Sequence, residues 1–575
     1  MKKLSVLTVT ALCIAAVFSV FCFPRAGDIS ILAFIISAAG TAATAYYTYA
    51  VLLRDEPARI PIVHKLFQYL PYIMLIAFIL RRAGKNDTAR WYDVVTVILW
   101  CLLFVATLGA VYLLNEKRVY ACRSSWTHYI KNYPPGGKKR KWIITEILEW
   151  LDAIVQAVFT ILLVQIFILQ LYVIPSESMV PQFLIGDRVF VFKTASGPQF
   201  PLSDVGLPVF RTYKRGDVVV FRNPHYRMDR QSEVKTVTSQ LLYMLTLTLV
   251  NLNRDEHGEL KADPLVKRIC GLPGEQLVMQ DGTLYARTRE SPEFFPVESD
   301  ARFATWNLHT VPLATRRGIQ TFPVSSAQFQ SLLDCEAERR ELHIPEVAER
   351  CRSIAAAFSR IAPPVAEDDG SLTVPLFEYE LFTSHEAITR RLLSETGGVA
   401  WFTAFMTDWI VNAPSDDAFV GGDIYSDANY RLNLMIKECF GQIVVRDAEL
   451  ITSGASGNIF SDDELYRALE RAEQLHRYVV SLDQRNMPLF PPNAPDGTPN
   501  YLESDSYFMM GDNRFNSLDM RHSYNRTLVP LTALDDFSVT YYSNSAPQAV
   551  KSRYILGNAV FRFWPRKRIG LVQTK

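Results

Sequence analysis

Apolar residues crowd into the first 175 positions of the chain and most charged residues lie beyond them, so its two parts suit different solvents. Residues 4–23, 29–53, 91–114 and 151–174 each read as a spanning helix, apolar for long enough to cross a hydrocarbon layer of roughly 30 Å. A fifth stretch, 69–80, is short for a span, and lengthening it through 60–67 buries His64 and Lys65. Lys117, Arg118, Arg123, Lys131 and the run Lys138, Lys139, Arg140, Lys141 precede the last span, and the positive-inside tendency puts that side in the cytoplasm. Everything after Pro175 is then expected outside, and five spans put Lys2 and Lys3 inside, as the same tendency favours. Arg81, Arg82, Lys85 and Arg90 disagree, because five spans turn their loop outward. The apolar start is expected to remain as an uncleaved anchor, since no small-x-small site clearly follows it.

Past the spans the periodicity changes. Residues 217–221 read as a short strand, and 276–286 as a hairpin turning at Asp281-Gly282. Residues 326–361, 384–411 and 462–482 show the 3.6-residue apolar spacing of helices, with Ser461-Asp462 and Ser384 as candidate N-caps. An apolar run at 241–252 is too short to span, and suits equally a seat on a membrane face or core burial.

Lys and Arg (60) nearly cancel Asp and Glu (59), a balance that provides no field for gathering nucleic acid. The eight cysteines form no C-x-x-C and no His/Cys cluster of zinc spacing, so neither metal nor cofactor is expected. Cys335 and Cys351 are able to pair if their region is exported, and otherwise serve as free thiols.

Candidate chemistry begins after the last expected span, in Ile174-Pro175-Ser176-Glu177-Ser178-Met179-Val180-Pro181. Prolines at both ends stiffen the loop. Extended chain covers about 3.3 Å per residue, so Ser178 is expected within about 13 Å of a helix ending at Ile174. Two serines between prolines also suit a plain helix-exit loop, so the hydroxyl needs an activator. Lys267 is the candidate, on a short strand that runs into Gly271-Leu272-Pro273-Gly274. Alternation puts Leu265, Lys267 and Ile269 on one face and Val266 and Arg268 on the other. An ammonium among aliphatic side chains loses hydration and its pKa falls. A fall from about 10.4 to about 8 raises the neutral fraction at pH 7 roughly two hundredfold. A snorkelling surface lysine fits the same pattern. A third segment, from Tyr507 to Arg521, runs an apolar strand into a polar turn. There Gly511, Asp512 and Asn513 supply turn chemistry, Asp519 and Arg521 can pair with one another or with Arg268, and Ser517 is free to bond elsewhere.

Together these segments resemble the signature boxes of bacterial type I signal peptidases, in that family's order. They are Pro175 to Pro181 with Ile185-Gly186-Asp187, Arg215-Gly216-Asp217 with Val218 to Phe221, Lys267-Arg268 with Gly271 to Glu275, Gly511-Asp512-Asn513-Arg514 with Asn516-Ser517 and Asp519, and a tail from Ile555 to Leu571. The resemblance implies Ser178 as nucleophile, Lys267 as general base, Ser517 bonded to the lysine amine, and an oxyanion hole from the Ser178 N–H and the Ser176 hydroxyl. It makes Arg268, Asp519 and Arg521 structural ion-pair partners and Asp512 a turn residue. Glu177 departs from the usual glycine, Phe515 from a commonly acidic residue and Met520 from the usual serine. Glu177 is expected to point outward, away from the developing negative charge.

The fold so implied is a multi-pass α-helical membrane anchor and a mainly antiparallel β peptidase core of the signal-peptidase and repressor type, with a large α-rich insertion. The expected division is a multi-pass region at 1–130, a basic segment with the last span at 131–175, core at 176–290, insertion at 291–500 and core again at 501–575. The function implied is removal of signal peptides after small-x-small sites at the outer face of the cytoplasmic membrane. Expected partners are signal-peptide-bearing preproteins, the lipid bilayer and the protein-export machinery, and not nucleic acid. Two rivals are a self-cleaving repressor-type Ser/Lys peptidase, which the hydrophobic spans oppose, and a membrane scaffold or transporter component with an inactive core, which the intact Ser176, Ser178, Lys267 and Ser517 oppose.

Overall fold

The computed structural model describes residues 2–23, 30–84, 90–120, 123, 126, 143–226, 230–245, 252, 263–362, 372–413, 419–455 and 462–574. Among these, five helices are long and apolar enough to cross a membrane: α1 (Lys2–Phe21), α2 (Ser30–Leu52), α3 (Ile60–Ala83), α4 (Arg90–Leu113) and α5 (Ile143–Phe167). The doubtful fifth stretch is thus one full helix that begins at Ile60. Lys65 is accommodated because Asp152 of α5 lies 2.5 Å from its amine and also accepts from the Tyr69 hydroxyl. The basic residues at 131–141, together with Lys85, Ser461 and 246–251 of the short apolar run, lie outside the described residues; the start of that run belongs to a helix, Arg230–Leu245.

The last span ends earlier than expected. Helix α5 stops at Phe167, and Leu169–Val173 is a strand, β1, paired antiparallel with β2 (Arg188–Phe192). The apolar run is continuous through the junction, so hydropathy does not mark where intrahelical hydrogen bonds give way to a ladder with β2. Ser178 therefore follows a strand of the core rather than the membrane helix.

That core is an antiparallel sheet. To β1 and β2 it adds β3 (Val218–Phe221), β4 (Leu265–Gly271), β9 (Ser506–Met510), β12 (Val550–Lys551), β13 (Ile555–Trp564) and β14 (Gly570–Leu571). The strand order is β1-β2-β13-β3-β4-β9-β12, with β14 on β13. A second sheet of order β7-β6-β5-β8 contains β5 (Glu275–Gln280), β6 (Thr283–Thr288), β7 (Phe295–Pro296) and β8 (Met487–Phe490). The expected hairpin is there: Asp281 (φ 53°) and Gly282 (φ 77°) are both left-handed, as a tight β5–β6 turn requires.

Six longer helices follow: α6 (Ser326–Glu341), α7 (Ile344–Ile361), α8 (His385–Ser394), α9 (Gly398–Thr407), α10 (Ile424–Thr452) and α11 (Asp463–Val480). The stretch 326–361 breaks into two at Leu342-His343, where Pro345 enters the first turn of α7. Asp462 caps α11, accepting from the Leu465 N–H at 2.8 Å, whereas Ser384 holds the N-cap position of α8 without a side-chain cap bond. Helix α10 is not foreshadowed by periodicity, because it is buried on most of its circumference and so lacks a polar stripe. Its Lys437 pairs with Asp535 at 2.6 Å, in the loop between β10 (His522–Pro530) and β11 (Thr540–Ser545), which ties the helices to the β region. Cys335 and Cys351 are both buried free thiols and do not pair.

Candidate active site

The loop that leaves β1 is closed at its base by two backbone bonds, Ile174 N–H to the Asp187 carbonyl (2.8 Å) and Gly186 N–H to the Ile174 carbonyl (2.9 Å). Asp187 also accepts from the Leu184 N–H at 2.9 Å and pairs with Arg568 at 3.1 Å, which explains why an Ile-Gly-Asp sequence and the C-terminal tail both belong to the site. Within the closed loop Ser178 points inward and is buried.

Lys267 sits in the middle of β4, opposite Val219 of β3, in a sheet flanked on the other side by β9. Its amine lies 2.6 Å from Ser178 Oγ, so the structure brings together the two residues that sequence put 89 positions apart. Lys267 is only 3 % exposed. Burial lowers its pKa from 10.5 to about 8, with Asp519 raising and Arg521 lowering it as smaller effects. A site of this kind can take a proton from the serine at neutral pH, because the free amine is a substantial fraction rather than a trace. The Ser176 hydroxyl is exposed and lies 3.4 Å from Ser178 Oγ, within reach of charge developing beside it.

The box after β9 clamps this loop. Asn513 donates its backbone N–H to the Ser178 carbonyl and its side-chain amide to the Glu177 carbonyl, each at 3.1 Å. A β-carbon on Gly511 would stand 2.4 Å from the Ser178 carbonyl oxygen and 2.2 Å from Ser517 Oγ, so only glycine lets the box approach. Asp519 accepts the Gly511 N–H at 2.8 Å and pairs with Arg521 at 2.8 Å. Burial pushes the Asp519 carboxyl up, but the Arg521 charge and hydrogen bonds more than reverse this and hold it below the usual range.

Three expectations change. Ser517 Oγ is buried without a hydrogen-bond partner, so the bond to the Lys267 amine is not made in this structure. Asp512 is not merely a turn residue: it binds Arg268 in bidentate fashion, both contacts at 2.7 Å, while Asp519 pairs with Arg521 and not with Arg268. Glu177 does not point outward into solvent. It is buried and accepts from the backbone N–H groups of Gln320 (2.5 Å) and Thr321 (2.9 Å), which removes its charge from the nucleophile by giving it donors elsewhere. Phe515, a second departure, stacks edge-on against Trp306, so an aromatic contact replaces a charge there. Sequence reasoning did not find residues 300–321 as neighbours of the site. The one available signal was that a glutamate standing for a glycine must find donors. Glu177→Ala is expected to destabilise the fold by about 1–3 kcal/mol through loss of two charge-assisted hydrogen bonds, with Glu177→Gln intermediate, as read from denaturant unfolding.

Comparison with known sequences finds likeness to one class of protein over part of the chain. Residues 147–338 match the family model described as signal peptidase, peptidase S26. More particularly, the chain is similar to bacterial type I signal peptidases: it is 28% identical over 151 residues to Signal peptidase I of Bacillus licheniformis, covering 26% of this chain and 54% of that one. It is 29% identical over 146 residues to Signal peptidase I T of Bacillus subtilis (25% and 51%), and 40% identical over 65 residues to Signal peptidase I of Buchnera aphidicola subsp. Baizongia pistaciae (11% and 21%). The chain thus spans about half the length of the Bacillus relatives or less of the third. The family match ends before Gly511 to Asp519, which the fold nevertheless delivers to the same site.

Proposed function

We propose that the chain is a membrane-bound serine endopeptidase that removes N-terminal signal peptides from exported preproteins. The observation that carries this reading is the 2.6 Å contact between Ser178 Oγ and a buried Lys267 amine. Neutral Lys267 takes the hydroxyl proton as Oγ attacks the scissile carbonyl carbon, and the Ser178 N–H and Ser176 hydroxyl receive the oxyanion. The protonated amine then gives its proton to the leaving amine, and the acyl-enzyme forms. Water, deprotonated by the same lysine, releases the acyl group. Ser517 is the proposed orienting hydroxyl, taking up the amine once substrate fills the site, since its buried Oγ has no other partner in the resting one. Arg268, Asp519 and Arg521 are structural.

Of the expected division at 130, 175, 290 and 500, the first boundary is retained as part of this proposal, while the core takes in β1 from Leu169 and, flanking the helices, β7 and β8; a cytoplasmic (inner) membrane location and an extracytoplasmic core are retained as well. Placement favours the substrate class: helix α5 feeds the strand before Ser178, which keeps the nucleophile close to bonds that a bilayer also holds close. Small-x-small sites just beyond an apolar segment are such bonds. The test is incubation of the detergent-solubilised wild type with a preprotein carrying one such site. Cleavage directly after the second small residue is expected; an intact preprotein at enzyme concentrations comparable to substrate would favour the inactive-scaffold rival.

A further inference from the structure

We infer that the hairpin between β2 and β3, residues 196–209, is a plug that locks the peptidase core onto the membrane bundle and so selects which bond of a membrane-held preprotein reaches Ser178. The selection half rests on the function proposed above. The docking half does not.

The hairpin is held by bridges at Ser196–Val209 and Gln199–Gly206. A β-carbon on Gly206 would come 2.5 Å from the Pro198 carbonyl oxygen, so its two arms lie as close as backbone allows. Its tip enters the helices. Phe200 is 2 % exposed, with ring centroids 5.8 Å from Phe78 of α3, 5.4 Å from Trp100 of α4 and 4.9 Å from Phe167 at the end of α5. One residue of the β region thereby touches three membrane helices.

Polar contacts fix the same tip. The Ser203 hydroxyl donates to Asp93 of α4 at 3.0 Å, and the Leu202 carbonyl accepts from Arg82 Nε of α3 at 2.7 Å. Asp93 is buried and also pairs with Arg81 at 2.6 Å and Arg82 at 3.3 Å. Leu202 is held at φ 59°, a conformation that a side-chain-bearing residue keeps only where its surroundings dictate it. This arrangement bears on two of the four cations in conflict with the positive-inside tendency: Arg81 and Arg82 lie on the core's side of the bundle and share the Asp93 carboxylate.

The mechanical consequence follows from the number of tethers. Through α5 and β1 alone the core could swivel about one connection. The hairpin supplies a second, off that axis, so the height and tilt of Ser178 over the bilayer are set. A preprotein whose apolar helix is held in the same bilayer then presents one bond at that height. The pair Phe200→Ala with Ser203→Ala removes the aromatic contacts and the Asp93 bond of the tip, leaves the bond from Arg82 to the Leu202 carbonyl, and touches nothing in the catalytic machinery.

Two substrates separate the cases: a soluble peptide containing a small-x-small site, and preproteins with that site at its natural distance or displaced by a few residues from the apolar helix. The double variant is expected to keep peptide kcat/KM within about twofold. With the natural preprotein it should lose on the order of tenfold, as misplacement of reacting groups predicts, and it should cut displaced sites more evenly than wild type does. Equal losses on peptide and preprotein, or unchanged site choice, would overturn the plug. An activity-free readout tests the docking alone: a thiol introduced as Ser203→Cys in full-length protein should resist a water-soluble maleimide, and should react at least about tenfold faster when Phe200→Ala is added. Rapid labelling without Phe200→Ala overturns the docking. A protected thiol in Ser203→Cys, together with a wild type that cuts neither substrate, overturns the peptidase reading and with it the selection half, but leaves the docking standing.

Discussion

Lys267→Met is expected to lower cleavage of a preprotein by on the order of 10⁴–10⁶-fold, the range seen when one member of a catalytic unit is removed, and at the same time to stabilise the fold. The first effect follows because methionine cannot accept the Ser178 proton. The second follows from burial, which lowers the lysine pKa from 10.5 to about 8. Below pH 8 the folded and unfolded chains both carry the proton, and the fold bears the full cost of hiding a charge, up to about 3 kcal/mol. Between pH 8 and 10.5 the folded lysine is neutral while the unfolded one is still charged, so the unfolded state binds more protons and stability rises with pH. Above 10.5 the cost is gone. Denaturant unfolding should therefore show the gain from Lys267→Met to be largest below pH 8 and to fade by pH 10.5. Wild-type kcat/KM should climb about tenfold per pH unit below 8 and level off above it, since only the free amine is a base. A variant that loses activity without gaining stability at pH 7, or a wild-type rate flat from pH 6 to 9, would remove Lys267 as the buried base.

The elements that allowed this to be read in advance are local. Lys267 alternates with Leu265 and Ile269 on a strand, and that spacing alone says the amine will be dehydrated if the strand is central. Ser178 is marked by its prolines and its companion Ser176. What the sequence could not convey is mostly non-local pairing. Arg268 and Asp512 stand 244 positions apart, and Asp512 sits in a Gly-Asp-Asn run that accounts for itself as a turn, so nothing in the chain announces that it also binds an arginine. Glu177 finds its donors at Gln320 and Thr321, backbone groups that any residue type would supply. The end of α5 was hidden for another reason: residues 168–174 are as apolar as the helix before them, and the choice between helix and strand is made by β2, not by those residues. Helix α10 escapes sequence periodicity because burial on most of its circumference blurs the stripe by which helices are recognised.

The Arg268–Asp512 pair carries the largest expected effect on stability. Arg268 is 1 % exposed and, besides Asp512, donates to the carbonyls of Gly216 and Gln573 at 2.7 Å each and lies 3.7 Å from the centre of the Phe303 ring. It therefore joins the turn before β3, the C-terminal tail and the box whose Asn513 holds the Ser178 loop. Asp512→Ala leaves that guanidinium charged and buried with carbonyls and a ring but no counter-ion, and is expected to cost about 3–5 kcal/mol. Burial keeps the Asp512 carboxyl above the usual range even with Arg268 beside it, which indicates that attraction does not fully offset desolvation. An apolar pair, Arg268→Met with Asp512→Leu, should accordingly be less harmful than Asp512→Ala alone, although Gly216 and Gln573 lose their donor in it. Urea unfolding of the three proteins orders them, and activity should follow the same order because the clamp on the Ser178 carbonyl hangs from the same box. If the double variant proves the least stable, the pair is a net attraction rather than a mutual neutralisation, and the positioning of the nucleophile depends on its charge.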